Sequence, residues 1–310
     1  MATDKLSLVI AEGWEGGGTL AASYSPIVEA FEERAPGIVH HAGTSAGAIT
    51  ALLRAILAPA AHIRELQELT PWDRFAGYRP PAFIRLLLRG GWHPIDYARS
   101  WIADRLRDAG LPNGLTFAGL KKRKGHSLYV AATRYFRHVD GGVEAEPYLF
   151  SPATTPDAPV GAAVLASMAV PLFWPPVGVG GWFFCDGGVA QNHPLSVFAQ
   201  FPLEQIVGIR LDSRRELLFE SGEIAKEPVR PGIGGIVAAN ATMLRTIANR
   251  TFVPDTLWPR IIRIDTGDES ALDFRANPDR LVRLRAAGSA ALDSWLAMEE
   301  HNSELQGARR

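Results

Sequence analysis

Cysteine is all but missing from this chain. One residue, Cys185, stands among 310, so no internal disulfide can form and nothing calls for an oxidising compartment. Net charge is missing as well. Thirty-two Lys and Arg face thirty-three Asp and Glu, a formal charge of -1, so no field gathers nucleic acid and no nucleic-acid partner is expected. The opening MATDKLSLVIAEGW has too short an apolar run, and no cleavage-site pattern, for a secretory signal, which makes the cytoplasm the default expectation. An uncharged stretch at 158–185 is long enough to cross a bilayer. However, Pro159, Pro171, Pro175, Pro176, Gly178, Gly180 and Gly181 break any helix there, so it reads as buried core and loop, with no transmembrane segment. The histidines at 40, 41, 62, 93, 126, 138 and 301 show no metal-ligand spacing, and neither a metal nor a cofactor is expected.

What is present is apolar bulk, 47% of the residues, enough for one large core, and the expectation is a single domain. Residues 6–11 form a short apolar run that reads as a strand, followed by glycines at 16–18. Helical spacing over 19–34 predicts a helix, 38–42 a second strand, and Ile49 to Leu57 a second helix ending before Pro59. This alternation implies parallel strands joined by right-handed crossovers, with ligand chemistry at their carboxyl ends. A segment around 60–115, rich in Arg, Trp, Leu and Pro, reads as a helical cap with a helix over 95–109. Strands are predicted at 127–133, 182–185, 206–212 and 261–265, and a closing helix near 278–300.

Three motifs carry chemistry. Gly43-Thr44-Ser45-Ala46-Gly47 is a G-x-S-x-G pentapeptide following an apolar run and opening a helix, the setting in which the serine is exposed at a sharp bend. Chance would produce the pentapeptide in about one chain of this length in ten, and a plain serine-capped turn is the competing reading. Gly16-Gly17-Gly18-Thr19 lies at the same sheet edge, where unpaired backbone N–H groups could hold the oxyanion of an acyl intermediate. Gly16-x-Gly18-x-x-Ala21 also fits a dinucleotide loop, but the second strand offers His40, His41 and Ala42 where a ribose-binding acid is needed. Asp186-Gly187-Gly188 ends the apolar strand 182–185, placing a carboxylate on a roomy turn that suits a general base, or simply a hairpin.

Together with Ala166-Ser167-Met168-Ala169-Val170-Pro171, Thr116-Phe117 and Asn192-x-Pro194, these motifs resemble the patatin-like phospholipase family over about 6–290. The resemblance implies a three-layer α/β/α sandwich with a mainly parallel central sheet, a core of about 6–215 and C-terminal elements of 216–310 packed on it. It also implies a serine–aspartate dyad, here Ser45 and Asp186, without a catalytic histidine, and acyl lipids as the usual substrates; contact with a membrane surface is an expectation for the cap segment. Gly16, Gly17, Gly18 and Thr19 would then form the oxyanion hole, with Gly43, Gly47, Gly187 and Gly188 giving the motifs their room. A nicotinamide-dependent oxidoreductase and a silent lipid-binding protein on the same fold are the alternatives. Leu20 and Ala21 depart from the family's pattern, which places a basic residue and a glycine there, so no cation is expected near the site. His193 sits close to Asp186 in sequence, yet a triad through it is not expected. The run Lys121-Lys122-Arg123-Lys124 reads as a solvated turn or as a contact for an anionic membrane, and Phe83 to Arg89, with Trp92 and Trp101, reads as core packing or as an interfacial helix.

Overall fold

The computed structural model describes residues 5–77, 86, 88–214, 253–275 and 277–307. The proposed interfacial segment therefore falls largely outside the described residues. Those described form a three-layer α/β/α sandwich. Five strands run parallel in the order β3 (Ser127–Arg137), β2 (His40–Thr44), β1 (Ala11–Trp14), β7 (Ile206–Asp212), β8 (Ile261–Asp265), while β4 (Val143–Phe150), β5 (Val177–Val179) and β6 (Trp182–Asp186) complete the sheet antiparallel.

The register along β3 decides where the site lies. β3 pairs with β2 from Ser127 to Ala131, then with β6 from Ala132 to Tyr135. β4 lies across both stretches, from Val130 to Arg137, so it occupies the opposite edge. β2 and β6 thus share one edge of β3 end to end. Thr44 pairs with Ala131 and Asp186 with Ala132, which brings the residue after Thr44 alongside Asp186.

The first strand differs from the sequence expectation. Lys5–Leu8 forms a 3-10 turn, and β1 begins only at Ala11. Hydropathy points upstream because β1 carries a charge, Glu12, which is fully buried. Its carboxylate accepts from Arg54 Nε at 3.1 Å and Nη2 at 3.2 Å and meets His41 Nδ1 at 2.7 Å, so the buried charge is paired and hydrogen-bonded. Gly18–Tyr24 is a 3-10 stretch leading into α1 (Ser25–Arg34), where one continuous helix was expected. Neither β4, with Glu144, Glu146 and Pro147, nor the three-residue β5 carries a legible strand pattern.

Further helices are α2 (Ala46–Ala55), α3 (Ala60–Leu69), α4 (Asp96–Asp108), α5 (Phe117–Lys124), α6 (Val160–Met168) and α7 (Pro278–Gly307). The basic run is the last turn of α5, stopped by Gly125 at φ +75°, so its cations face a helix C-terminus rather than sitting in a turn. One face of the sheet buries Trp14 against Tyr24 and Phe31, with ring centroids 5.0 and 6.0 Å away. The other face sets Leu195 against Gly13 and Gly208, where an added Cβ would come within 2.9 and 2.8 Å of its methyls. Among the described residues no helix is long and apolar enough to cross a membrane.

Two buried histidines and a half-buried one are held neutral, which makes the fold sensitive to acid. Burial holds His193 down at about 3 and, with His41 beside it, His126 at about 4; burial also lowers His41. Burial alone would raise Glu12, but Arg54 and His41 hold it at about 2. The unfolded chain takes up protons at these histidines near pH 6.5 and the folded chain does not, so stability present above pH 6.5 is lost as pH falls. Asp186, raised to about 6 by burial, acts in the opposite direction and offsets part of the loss. His193 alone is worth roughly 2 kcal/mol at pH 5. Melting curves at pH 7.5 and pH 5 should show a transition several degrees lower at pH 5; an unchanged or higher one would contradict this.

Candidate active site

Ser45 joins β2 to α2 with φ 53° and ψ -123°, a conformation few non-glycine residues adopt. The glycines of the pentapeptide make that bend possible. A Cβ on Gly43 would lie 2.2 Å from the Gly47 carbonyl oxygen, and one on Gly47 would lie 2.3 Å from that of Trp14. The first turn of α2 therefore rests directly on the end of β1. Ser167, on α6, holds the bend from behind: its buried hydroxyl accepts from the Ser45 N–H at 2.8 Å and donates to the Ala131 carbonyl at 2.6 Å. The A-S-x-A-x-P segment marked this residue in the sequence, but nothing local revealed what it grips.

Asp186 ends β6 and does not enter a hairpin; Gly187–Val189 turns instead as a short 3-10 helix. The carboxylate is buried and accepts from the Gly188 N–H at 2.6 Å through Oδ1. Burial raises its pKa to about 6, with the Ser45 hydroxyl and the Gly188 N–H pulling the other way. Oδ2 is buried without a hydrogen bond of full geometry among the described residues, leaving it capacity for a proton. Gly187 is required here, since its Cβ would stand 2.3 Å from the Ala131 oxygen and 2.9 Å from Thr44 Cγ2.

The glycine loop reaches the same place. Gly16 packs against Ser45, where a Cβ would come within 3.1 Å of the serine Cβ. Its N–H donates to the Asn192 carbonyl at 3.0 Å, and that of Thr19 to the Ala271 carbonyl at 2.9 Å. This narrows the expected oxyanion donors, because engaged N–H groups are not free for a ligand. Gly17 and Gly18 remain, with no such bond among the described residues. Asn192 ties the loops together, its amide donating to Glu15 Oε1 at 2.7 Å and to the Gly16 carbonyl at 3.2 Å.

The expectation of no nearby cation needs correction. Arg280, on α7, donates to Thr19 Oγ1 at 3.0 Å. Sequence distance hid it, 261 residues separating the partners. His193 donates through Nε2 to the Gly13 carbonyl at 3.1 Å and is held neutral by burial, so it is spent on β1.

Ser45, Asp186 and the glycine loop share a cavity of about 920 Å³, near the top of the usual ~300–1,000 Å³ for small-molecule sites. Its walls include Ile49, Leu53, Trp72, Phe75, Trp101 and Trp174. The cap supplies much of this lining, and the indole N–H groups in the wall are satisfied: Trp101 donates to Thr70 Oγ1, Trp72 to the Gln67 carbonyl and Trp174, from outside the cap, to that of Phe75. Among the described residues no cluster of His, Cys, Asp or Glu could hold a metal ion, and β2 carries no carboxylate for a ribose.

The family model "Patatin-like phospholipase" matches residues 15–199, a span that includes both Ser45 and Asp186. The uncharacterized protein YqhO of Bacillus subtilis (strain 168) is 25% identical over 296 residues, 91% of this chain and 96% of its own. Among solved structures, VipD from Legionella pneumophila gives a TM-score of 0.54 at 17% identity, over 93% of this chain and 66% of VipD. The type III effector ExoU of Pseudomonas aeruginosa gives 0.50 at 17% identity, over 94% of this chain and 53% of ExoU. The chain thus spans just under two thirds of one and about half of the other, and shares their fold. With the family match covering more than half of its residues, the chain belongs to the patatin-like phospholipase family.

Proposed function

We propose that this protein is a lipid acyl hydrolase in which Ser45 is the nucleophile and Asp186 its only base. The observation that carries the reading is the placement of a serine in a strained bend beside a buried, raised-pKa carboxylate, both opening into a large apolar cavity. Ser45 Oγ attacks the ester carbonyl carbon while Asp186 takes its proton. The oxyanion forms against the N–H groups of Gly17 and Gly18. The intermediate then collapses, Asp186 protonates the departing alcohol, and an acyl-enzyme remains. Water, deprotonated by Asp186, attacks that ester; the fatty acid leaves and Ser45 recovers its proton. The acyl chain lies along the cavity throughout, and no cofactor takes part.

The surface around the mouth supports entry from a lipid aggregate. Leu172, Leu272 and Val189 line the rim with 69%, 48% and 44% of their surface exposed. The half-exposed Trp92 lies beside this rim, its backbone N–H donating to the Leu172 carbonyl at 2.8 Å. We assign residues 6–215 and 216–310 to one hydrolase domain, since among the described residues β8 pairs with β7 in the same sheet and α7 packs on β8.

Fluorophosphonate labelling with peptide mapping tests the reading. Rapid modification confined to Ser45, together with release of fatty acid from phospholipid or glycerolipid vesicles, is the expected result. A folded protein that stays unlabelled would return the silent lipid-binding reading, or the oxidoreductase one if NADH fluorescence then titrates.

A further inference from the structure

We infer that Arg280 is a positioning residue for the oxyanion loop, a latch through which the C-terminal helix holds Gly17 and Gly18 in their working conformation. The inference rests on the reading of those two glycines as oxyanion donors, but the observations behind it are independent of the dyad. α7 starts as a helix should, with Asn277 Oδ1 accepting from the Arg280 N–H at 3.1 Å and Pro278 at the first helical position. That fixes Arg280 in the first turn, aimed back at the glycine loop.

Its side chain is 5% exposed and almost wholly committed to protein. Nε donates to Glu269 Oε2 at 2.9 Å, Nη1 to the Asp273 carbonyl at 3.1 Å, and Nη2 to the Ser270 carbonyl at 2.7 Å and to Thr19 Oγ1 at 3.0 Å. Four of the five guanidinium donors are thus used, which leaves little with which to bind a substrate anion. Three of these bonds gather the segment 269–273 around one planar group, and the fourth reaches the glycine loop. The gathered segment then contacts the loop by itself: the Ala271 carbonyl accepts from both the Thr19 N–H at 2.9 Å and the Thr19 hydroxyl at 3.2 Å. A Cβ on Gly18, which sits at φ +54°, would lie 2.1 Å from that same carbonyl oxygen. The left-handed turn that aims the N–H groups is therefore braced by a segment and a helix lying beyond residues 15–199, the span the family model matches.

A preorganised donor acts through its aim, and a displacement of about 1 Å at such a site costs on the order of a hundredfold in rate. The test uses the full chain with Arg280→Gln, Arg280→Lys and Thr19→Val. Fluorophosphonate labelling rate, kcat and KM on one p-nitrophenyl ester, and melting temperature are measured for each. Arg280→Gln should lower the labelling rate and kcat by tens- to about a hundredfold, with KM within about twofold. Arg280→Lys should recover only part, since an ammonium cannot reproduce the planar fork. Thr19→Val should also lower kcat, and its combination with Arg280→Gln should cost much less than the product of the two, because both cut one connection.

A folded Arg280→Gln that labels at the wild-type rate overturns the latch, as does one that raises KM with kcat unchanged, which would make Arg280 a substrate-binding group. If Arg280→Gln does not fold, Thr19→Val decides: unchanged labelling in that variant overturns the inference. A wild type that is not labelled at Ser45 would instead sink the dyad reading, and the latch with it.

Discussion

Asp186→Asn should lower kcat by about 10³- to 10⁴-fold while the fold and KM stay near wild type. The asparagine fills the same volume and can still accept from the Gly188 N–H, but it cannot take the Ser45 proton. A carboxylate in water, with its pKa near 3.8, is a poor base for an alcohol. Burial of Asp186 raises it to about 6, which improves the driving force for proton transfer while leaving roughly nine-tenths of the enzyme ionised at pH 7. The sign of the pH effect follows. The proposed mechanism requires the deprotonated carboxylate, so kcat/KM should fall about tenfold per unit below pH 6 and level off above it. In Asp186→Asn that acid limb should vanish along with most of the rate. Steady-state kinetics between pH 5.5 and 8 check this, with circular dichroism at each pH to separate titration of the base from the acid instability of the buried histidines. An Asp186→Asn enzyme retaining more than a tenth of wild-type kcat would mean that another group serves as the base.

The second large effect is expected at Gly47. In an ordinary helix, replacing glycine by alanine stabilises by about 0.5–1 kcal/mol. Here the added Cβ would meet backbone, the carbonyl oxygens of Trp14 at 2.3 Å and Glu15 at 2.5 Å. Neither is the far end of a flexible side chain. Either α2 lifts away, taking Ser45 with it, or the end of β1 moves and displaces the glycine loop. Gly47→Ala should therefore destabilise by about 3 kcal/mol or more and abolish labelling of Ser45. Urea unfolding and the labelling assay test the two halves separately. A stable, fully labelled Gly47→Ala protein would show that the close approach of α2 to β1 is not needed for the site.

Much of the fold was legible because it rests on local pattern. The helices at 46–55, 96–108 and 278–307 carry apolar residues at helical spacing, and 182–186 and 206–212 are short apolar runs bounded by turn residues, as buried strands are. The misreadings have a common cause. Hydropathy sets β1 too early because Glu12 looks like a break, and Arg54 and His41, from other elements, make it tolerable inside a strand. β4 is an exposed antiparallel strand whose partner, β3, supplies the order that its own composition does not.

The candidate site divides along the same line. The bend at Ser45, the end of a buried strand at Asp186 and the absence of side chains in the glycine loop are readable from local sequence, because each depends on neighbours a few residues away. Packing between layers sets the rest: β2 and β6 share one edge of β3, Ser167 grips the Ser45 amide, Gly16 and Thr19 spend their N–H groups, and Arg280 donates to Thr19. Those partners lie more than a hundred residues apart in most cases. A backbone N–H looks the same in every sequence, and which carbonyl it meets is settled by how the layers pack.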